Sequence, residues 1–104
     1  MRKQKSKSVW HVYILRTWDN TLYTGVTTDV RRRFIEHCSE GRRRAKYLKA
    51  HPPREIAFSC EIGSRSTALK VEYRLKKLTR LQKERIIAQG ELSYQHDSGR
   101  ILVK

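Results

Sequence analysis

The segment from residue 12 to residue 37 limits the folds open to this chain more strongly than any other, because it predicts two strands and a helix in close succession. Apolar and aromatic residues alternate over 9–17, which indicates a strand with two different faces. The polar residues 18–21 supply turn chemistry, and residues 22–27 form the return strand. Gly25 weakens that strand, and a glycine there often marks the close approach of another backbone or a ligand.

A helix is predicted directly after the hairpin. Asp29 is a natural N-cap, and Gly41 is a plausible end. Arg33 and His37 are separated by four positions, so they share one face of this helix. The apolar residues recur at helical spacing and predict a stripe that faces the core: Val30, Phe34, Ile35 and Cys38.

The second half of the chain predicts one further strand and two helices. A basic connection with a helical turn over 45–49 leads to a strand over 54–62, in which Ile56, Phe58, Cys60 and Ile62 share a face. Ser66 or Thr67 can cap a helix that runs to about Leu78. Thr79 and Gln82 form a capping box for a last helix, which Gly90 closes.

The charge of the chain points to a polyanionic partner. The formal net charge is +14 over 104 residues, an excess that nucleic acid most often offsets. No apolar run approaches the roughly 18 residues of a membrane span, so we expect no membrane partner. We expect a basic disordered tail over 1–8, which lacks the apolar core of a secretory signal, one domain over 9–90, and a C-terminal tail over 91–104 that docks or forms a short strand.

The cysteines and histidines give no metal-binding pattern. Cys38 and Cys60 lack C-x-x-C spacing, and two buried thiols in a reducing cytoplasm explain them better than a disulfide or zinc. The four histidines are too scattered for a set of zinc ligands.

Glu72 is the most informative single residue outside the hairpin and the first helix. It borders the apolar face of its predicted helix, where a carboxylate is rare unless it is paired or bound to metal. An ion pair with Lys76, four positions on, is the simpler explanation. Tyr13 and Tyr23 are ordinary strand residues, and when considered alone each indicates a core position.

Taken together, these residues match a known pattern. His11-Val12-Tyr13 and Tyr23-Thr24-Gly25 stand as two short motifs, followed by Arg33, by His37 four residues later and by Glu72 on a downstream helix. The chain resembles the GIY-YIG nuclease superfamily over about residues 10–90. It is most similar to the small stand-alone bacterial members of the UPF0213 type, and the run from Leu22 to Arg33 is the most telling.

The resemblance implies an α/β (α+β) fold: a three-stranded, mainly antiparallel sheet flanked by helices. It also implies a DNA endonuclease of repair or processing that uses one divalent ion, Mg²⁺ or Mn²⁺, with Glu72 as the only protein ligand. Tyr13 would be the general base or would orient the attacking water, and His37 is the alternative proton carrier. Arg33 and Tyr23 would hold the scissile phosphate and stabilise its charge.

Two departures from the family pattern keep a second interpretation open. His11 replaces the glycine of the first motif, and residues 79–89 lack the asparagine with which many active members bind phosphate. Gln82, Lys83 or Gln89 are the available substitutes. The alternative is therefore a nucleic-acid-binding module that keeps the nuclease fold without cleavage.

The basic side chains around the predicted site are candidates for contact with a nucleic-acid backbone, DNA rather than RNA. They are Arg31, Arg32, Arg42, Arg43, Arg44, Lys46 and Lys83. Nothing in the sequence resembles a helix that reads bases, so a protein partner for targeting is an open expectation, as is the oligomeric state.

Overall fold

The structure is a computed structural model that describes residues 8–39, 41 and 43–102. Seven elements follow one another along the chain: β1 (Trp10–Thr17), β2 (Leu22–Thr27), α1 (Val30–Cys38), α2 (Lys46–Ala50), β3 (Pro53–Gly63), α3 (Arg65–Lys76) and α4 (Arg80–Gln89). The predicted fold class is confirmed. None of the helices within the described ranges is long and apolar enough to cross a membrane.

The first strand is the centre of the sheet. The strand order is β2-β1-β3, and β1 pairs antiparallel with both neighbours. In the hairpin, Tyr13 lies opposite Gly25 and Leu15 lies opposite Tyr23. Because side chains alternate along a strand, Tyr13 and Tyr23 project from the same face of the sheet.

Each face of β1 packs against a different layer of helices. Val12 and Ile14 belong to a core that α3 and α4 complete with Ala68, Val71, Leu75 and Ile86. Tyr13 and Leu15 belong to a smaller core with Leu48 of α2, against which Val30 and Phe34 of α1 also pack. The two tyrosines of the sequence motifs therefore lie on the α1/α2 side.

Two helix ends differ from the sequence prediction. The first helix ends at Cys38 with Ser39 as its C-cap, so Gly41 lies beyond the end. Ser64, rather than Ser66 or Thr67, caps α3, because its extended backbone allows the side chain to accept a hydrogen bond from the Thr67 amide. The N-cap at Asp29 and the capping box of α4 are confirmed.

Three apolar side chains are more exposed than their patterns indicate. Ile35 of α1 was predicted to face the core and is 60% exposed. A register shift between Ile14 and Leu15 inserts one extra residue into β3, so Ile56 leaves the face that Phe58 and Ile62 share and is 37% exposed. Cys38 is exposed at the end of α1, so the prediction of two buried thiols is wrong for this residue. Both cysteines are free thiols.

An ion-pair network fixes α4 to the central strand. The Arg16 guanidinium donates to both carboxylate oxygens of Glu84, at 2.9 and 2.7 Å. Arg80 donates to the same carboxylate at 3.0 Å. Hydrogen bonding from Arg16 is the main reason that the pKa of Glu84 falls to about 2, so α4 stays ion-paired over the ordinary pH range.

The segment after α4 folds back on the core. Tyr94 pairs with Ile101, and both pack with Leu92 against the α3/α4 core. Residues 1–7 of the predicted basic tail lie outside the described residues, as do 103 and 104.

Candidate active site

The phenol of Tyr13 lies directly over the backbone of Gly25. A Cβ atom added to Gly25 would be only 2.6 Å from Cζ of the Tyr13 ring, a distance that real Cβ atoms do not adopt. The close approach that the glycine signals is therefore the approach of a tyrosine side chain. Glycine at this position lets the phenol lie flat across the hairpin and reach α1.

We expect Gly25→Ala to displace the Tyr13 hydroxyl. The inserted methyl group must push the ring away, at a cost of about 1–3 kcal/mol in the free energy of unfolding. If the phenol acts in catalysis, cleavage falls about 10- to 100-fold, because small misplacements of a reacting group are costly. Urea unfolding and nicking assays measure the two effects. Gly41→Ala, whose Cβ would meet nothing closer than 3.6 Å, is the matched control, and equal behaviour of the two variants would contradict this role of Gly25.

Two hydrogen bonds determine which ring nitrogen of His37 carries the hydrogen. Its Nε2 lies 3.0 Å from the Tyr13 hydroxyl, and the backbone amide of Ala45 donates to its Nδ1 at 3.3 Å. An amide can only donate, so Nδ1 is unprotonated and the neutral ring carries its hydrogen on Nε2. The imidazole therefore donates to the oxygen of Tyr13. His37 is fully buried.

Burial sets the resting protonation of the site. It is the largest cause that raises the pKa values of Tyr13 and Tyr23, and the nearby Arg33 charge opposes it. Burial, with the Arg33 charge, lowers the pKa of His37 to about 4. At neutral pH both phenols are protonated and the imidazole is neutral.

The lowered pKa of His37 predicts an acid-sensitive fold. The unfolded chain binds this proton near pH 6.5 and the folded chain near pH 4, so stability is full above that window and is lost as the pH falls through it. We expect the free energy of unfolding to fall by about 2 kcal/mol between pH 7 and pH 5. Urea titrations at the two pH values measure this, and His37→Gln removes the dependence.

The exposed residue His96 provides the control for that measurement. His96→Gln should leave the pH dependence unchanged. The carboxyl of Glu84 has a pKa of 4.5 in the unfolded chain and about 2 in the folded one, so its contribution to stability is lost mainly below pH 5. A His37→Gln protein that keeps the same slope would show that another group is responsible.

Arg33 is held at the mouth of the site by its own neighbours. Its Nη1 donates to Oε1 of Glu36 at 2.9 Å and to the carbonyl of Arg43 at 2.7 Å. Its charge also lowers the pKa values of Tyr13 and Tyr23, so it lies within electrostatic range of both phenols. Glu36 was not singled out in the sequence, although it is three positions from Arg33 on the same helix.

Glu72 lies on α3, which packs against the Val12 and Ile14 face of the sheet and contacts the edge strand β2. Its charge raises the pKa values of Tyr13 and Tyr23. The side chain is 19% exposed and lies 3.4 Å from Nζ of Lys76, so the simpler ion pair that the spacing predicts is present as well. The carboxylate is half-buried at the site and its partner is a long, exposed lysine.

Glu72, as a single carboxylate ligand, fits a hard divalent cation. Within the described ranges, no three His, Cys, Asp or Glu side chains come together as metal ligands. A single carboxylate suits Mg²⁺, which keeps several waters and takes one or two carboxylates, and does not suit zinc. Glu72 is thus able to hold the ion that the resemblance implies.

Three of the predicted backbone-binding residues line one groove. Arg32, Arg43 and Arg44 line an open groove with Arg33, next to Thr27. Arg31 and Lys46 are exposed outside that lining, and Arg42 lies outside the described residues. Lys83 lies on α4, where burial and the charges of Arg80 and Lys76 lower its pKa.

Sequence reasoning missed the aromatic side chains next to the phenols. The Tyr47 ring stacks on Tyr23 with centroids 6.1 Å apart, and it stacks on His51 at 4.3 Å. The four-residue spacing of Tyr47 and His51 could have signalled this pair. No sequence signal identifies the Ala45 amide, because every residue except proline carries one.

Comparison with known proteins identifies the class to which this fold and these residues belong. The chain belongs to the GIY-YIG family: the model described as "GIY-YIG catalytic domain" matches residues 9–85.

Relatives within that family include UPF0213 proteins. One from Citrobacter koseri is 50% identical over 79% of this chain and 80% of its own length. UPF0213 protein YhbQ of Escherichia coli O8 is 51% identical over 78% of this chain and 79% of its own. The solution NMR structure of a UPF0213 protein from Bacillus halodurans is 36% identical, with a TM-score of 0.50, over 78% of this chain and 84% of that one.

Proposed function

We propose that this protein is a metal-dependent endonuclease that hydrolyses phosphodiester bonds in DNA, in repair or processing. One observation carries the proposal: two phenols and a buried imidazole are in contact, within electrostatic range of the Arg33 and Glu72 charges, on a strongly basic chain. We place it in the cytoplasm, where its free thiols would stay reduced.

The hydrogen bonds that link Tyr13, His37 and Ala45 support Tyr13 rather than His37 as the general base. Nε2 of His37 carries a hydrogen and Nδ1 accepts from Ala45, so the neutral ring has no free lone pair to take a proton from water. Its hydrogen bond instead stabilises negative charge on the oxygen of Tyr13. His37 is then a positioning residue that holds the phenol and favours its anion.

The remaining groups bind the phosphate. Arg33 presents a planar fork that matches two phosphate oxygens, and on binding it would exchange Glu36 and the Arg43 carbonyl for substrate. Tyr23 lies beside Tyr13, with ring centroids 6.4 Å apart, and can donate its hydroxyl to a phosphate oxygen. A Mg²⁺ or Mn²⁺ ion held by Glu72 would supply positive charge that polarises the phosphate and lowers the pKa of the neighbouring phenol.

The last helix favours a second candidate, a binding module without cleavage. Gln82, one substitute for the family asparagine, is occupied because its Oε1 accepts from the Thr79 amide. Lys83 is half-buried, and the charge of Lys76, the partner of Glu72, helps to lower its pKa, so it lies within electrostatic range of that ion pair. Whether a lysine there replaces the asparagine decides between the two functions.

Incubation of the purified protein with labelled DNA tests the proposal. Single-stranded, duplex and branched substrates are each supplied with Mg²⁺, with Mn²⁺ or with EDTA. We expect nicking that requires the divalent ion and stops in EDTA. Salt-sensitive binding with no nicking of any substrate under either metal would establish the binding module instead.

A further inference from the structure

Three aromatic rings, named here the aromatic ladder, follow one another outward from the phenols that are proposed to bind the phosphate. Tyr23 is its inner ring, Tyr47 its middle ring and His51 its outer ring. The planes of Tyr23 and Tyr47 differ by 20°, and those of Tyr47 and His51 by 21°. Each ring is therefore nearly parallel to its neighbour in the ladder, which is the arrangement in which planar groups stack.

The outer part of this ladder is both accessible and fixed. Tyr47 is 40% exposed, and the His51 side chain is 33% exposed. His51 Nδ1 donates to the carboxylate of Asp19 at 2.7 Å, and the fully buried Leu48 anchors α2. Because Tyr47 is stacked between its two neighbours, the ring that offers a surface for a further planar group is the outer one, His51, which Tyr47 backs and Asp19 holds.

The surroundings of the ladder suit a nucleic acid. Lys46 and Lys49 are exposed on the same helix, and the Arg54 guanidinium lies 5.6 Å from the centre of the exposed Trp18 ring, next to Asp19. Single-stranded nucleic acid is bound by the combination of basic groups that follow the backbone and aromatic rings that stack on bases. A paired duplex keeps the faces of its bases covered by their neighbours.

We propose that Tyr47 and His51 form a stacking subsite for an unpaired nucleobase next to the scissile phosphate. The subsite rests on the proposed function, in that Tyr23 contacts the phosphate. It selects DNA that is single-stranded or locally unpaired, because only such DNA can place a base face on the ladder. The selection is for structure and not for sequence, since every base has a face to stack.

Two single-stranded probes of equal length separate stacking from charge. One is an oligothymidylate, and the other has the same phosphates on tetrahydrofuran abasic residues, so it carries the same charge without bases. Fluorescence anisotropy in EDTA gives both affinities. We expect the wild-type protein to bind the thymidylate about tenfold more tightly, since stacking contributes about that per base or more.

The variants then assign the difference to the ladder. In Tyr47→Ala the preference should fall to nearly one while the affinity for the abasic probe stays the same, which also shows that the protein is folded. Tyr47→Phe should keep the preference. Tyr73→Ala removes another exposed tyrosine, 60% exposed on α3, and should keep it as well.

The outcomes distinguish the subsite from the nuclease. A wild-type preference near one, or an unchanged preference in Tyr47→Ala, overturns the subsite even if nicking is observed. A preference that depends on Tyr47, in a protein that nicks nothing, leaves the subsite standing on a binding module and overturns the nuclease.

Discussion

Glu72→Ala should abolish divalent-ion-dependent nicking while DNA binding persists. An ion that polarises the phosphate contributes several kcal/mol to the transition state, so its loss lowers the rate about 10³-fold. The neutral variant has one negative charge fewer near the phosphate, so its affinity for DNA should hold or rise. Single-turnover nicking at saturating protein, together with anisotropy in EDTA, separates the two quantities.

A charge-matched control makes that result specific to the site. Glu61 is exposed on β3, and its charge raises the pKa values of Cys60 and Tyr94. Glu61→Ala removes the same charge and should leave the rate of nicking unchanged. Undiminished nicking by Glu72→Ala would mean either a contaminating nuclease or a metal ligand other than Glu72.

Arg33→Ala should reduce cleavage far more than binding. In the proposed role the guanidinium faces charge that develops on the phosphate, and the loss of one such donor costs on the order of 10²–10³ in rate. In binding it is one cation among many on a chain of net charge +14, so affinity should change only a few-fold. The rate at saturating protein and the dissociation constant in EDTA are the two measurements.

Arg31 supplies the comparison for Arg33 on the same helix. It is exposed and does not line the open groove formed by Arg32, Arg33, Arg43 and Arg44. Arg31→Ala should weaken binding about as much as Arg33→Ala and leave the saturated rate intact. If Arg33→Ala loses rate and affinity in equal proportion, the arginine is a general backbone contact and not a group that stabilises the reacting phosphate.

The sequence predicts the sheet and the helices because their signals are local. Alternation in β1, the Asp29 cap and the Thr79–Gln82 capping box each depend on a few consecutive residues. The predictions that failed depend on other parts of the chain. The exposure of Ile56 follows from a bulge that appears only when β3 pairs with β1.

Secondary-structure propensity alone could not show that Tyr13, Tyr23 and His37 lie next to one another. Their selection came from the family pattern, and the geometry adds what the pattern lacks. The burial of His37, its tautomer and the Ala45 amide that sets it arise from the packing of the α1–α2 connection against the sheet. The aromatic ladder likewise requires α2 to be placed beside β2.

The central strand separates the reactive groups from most of the hydrophobic core. The face with Val12 and Ile14 is covered by two longer helices, whereas Leu48 is the one hydrophobic residue that α1 and α2 bury completely among those described. A transient opening of the thinner layer would move the phenol, the imidazole and the guanidinium while the thicker layer stays folded. In the proposed nuclease, a cleaved strand could then leave through local opening of the thinner layer, without unfolding of the layer that holds most of the core.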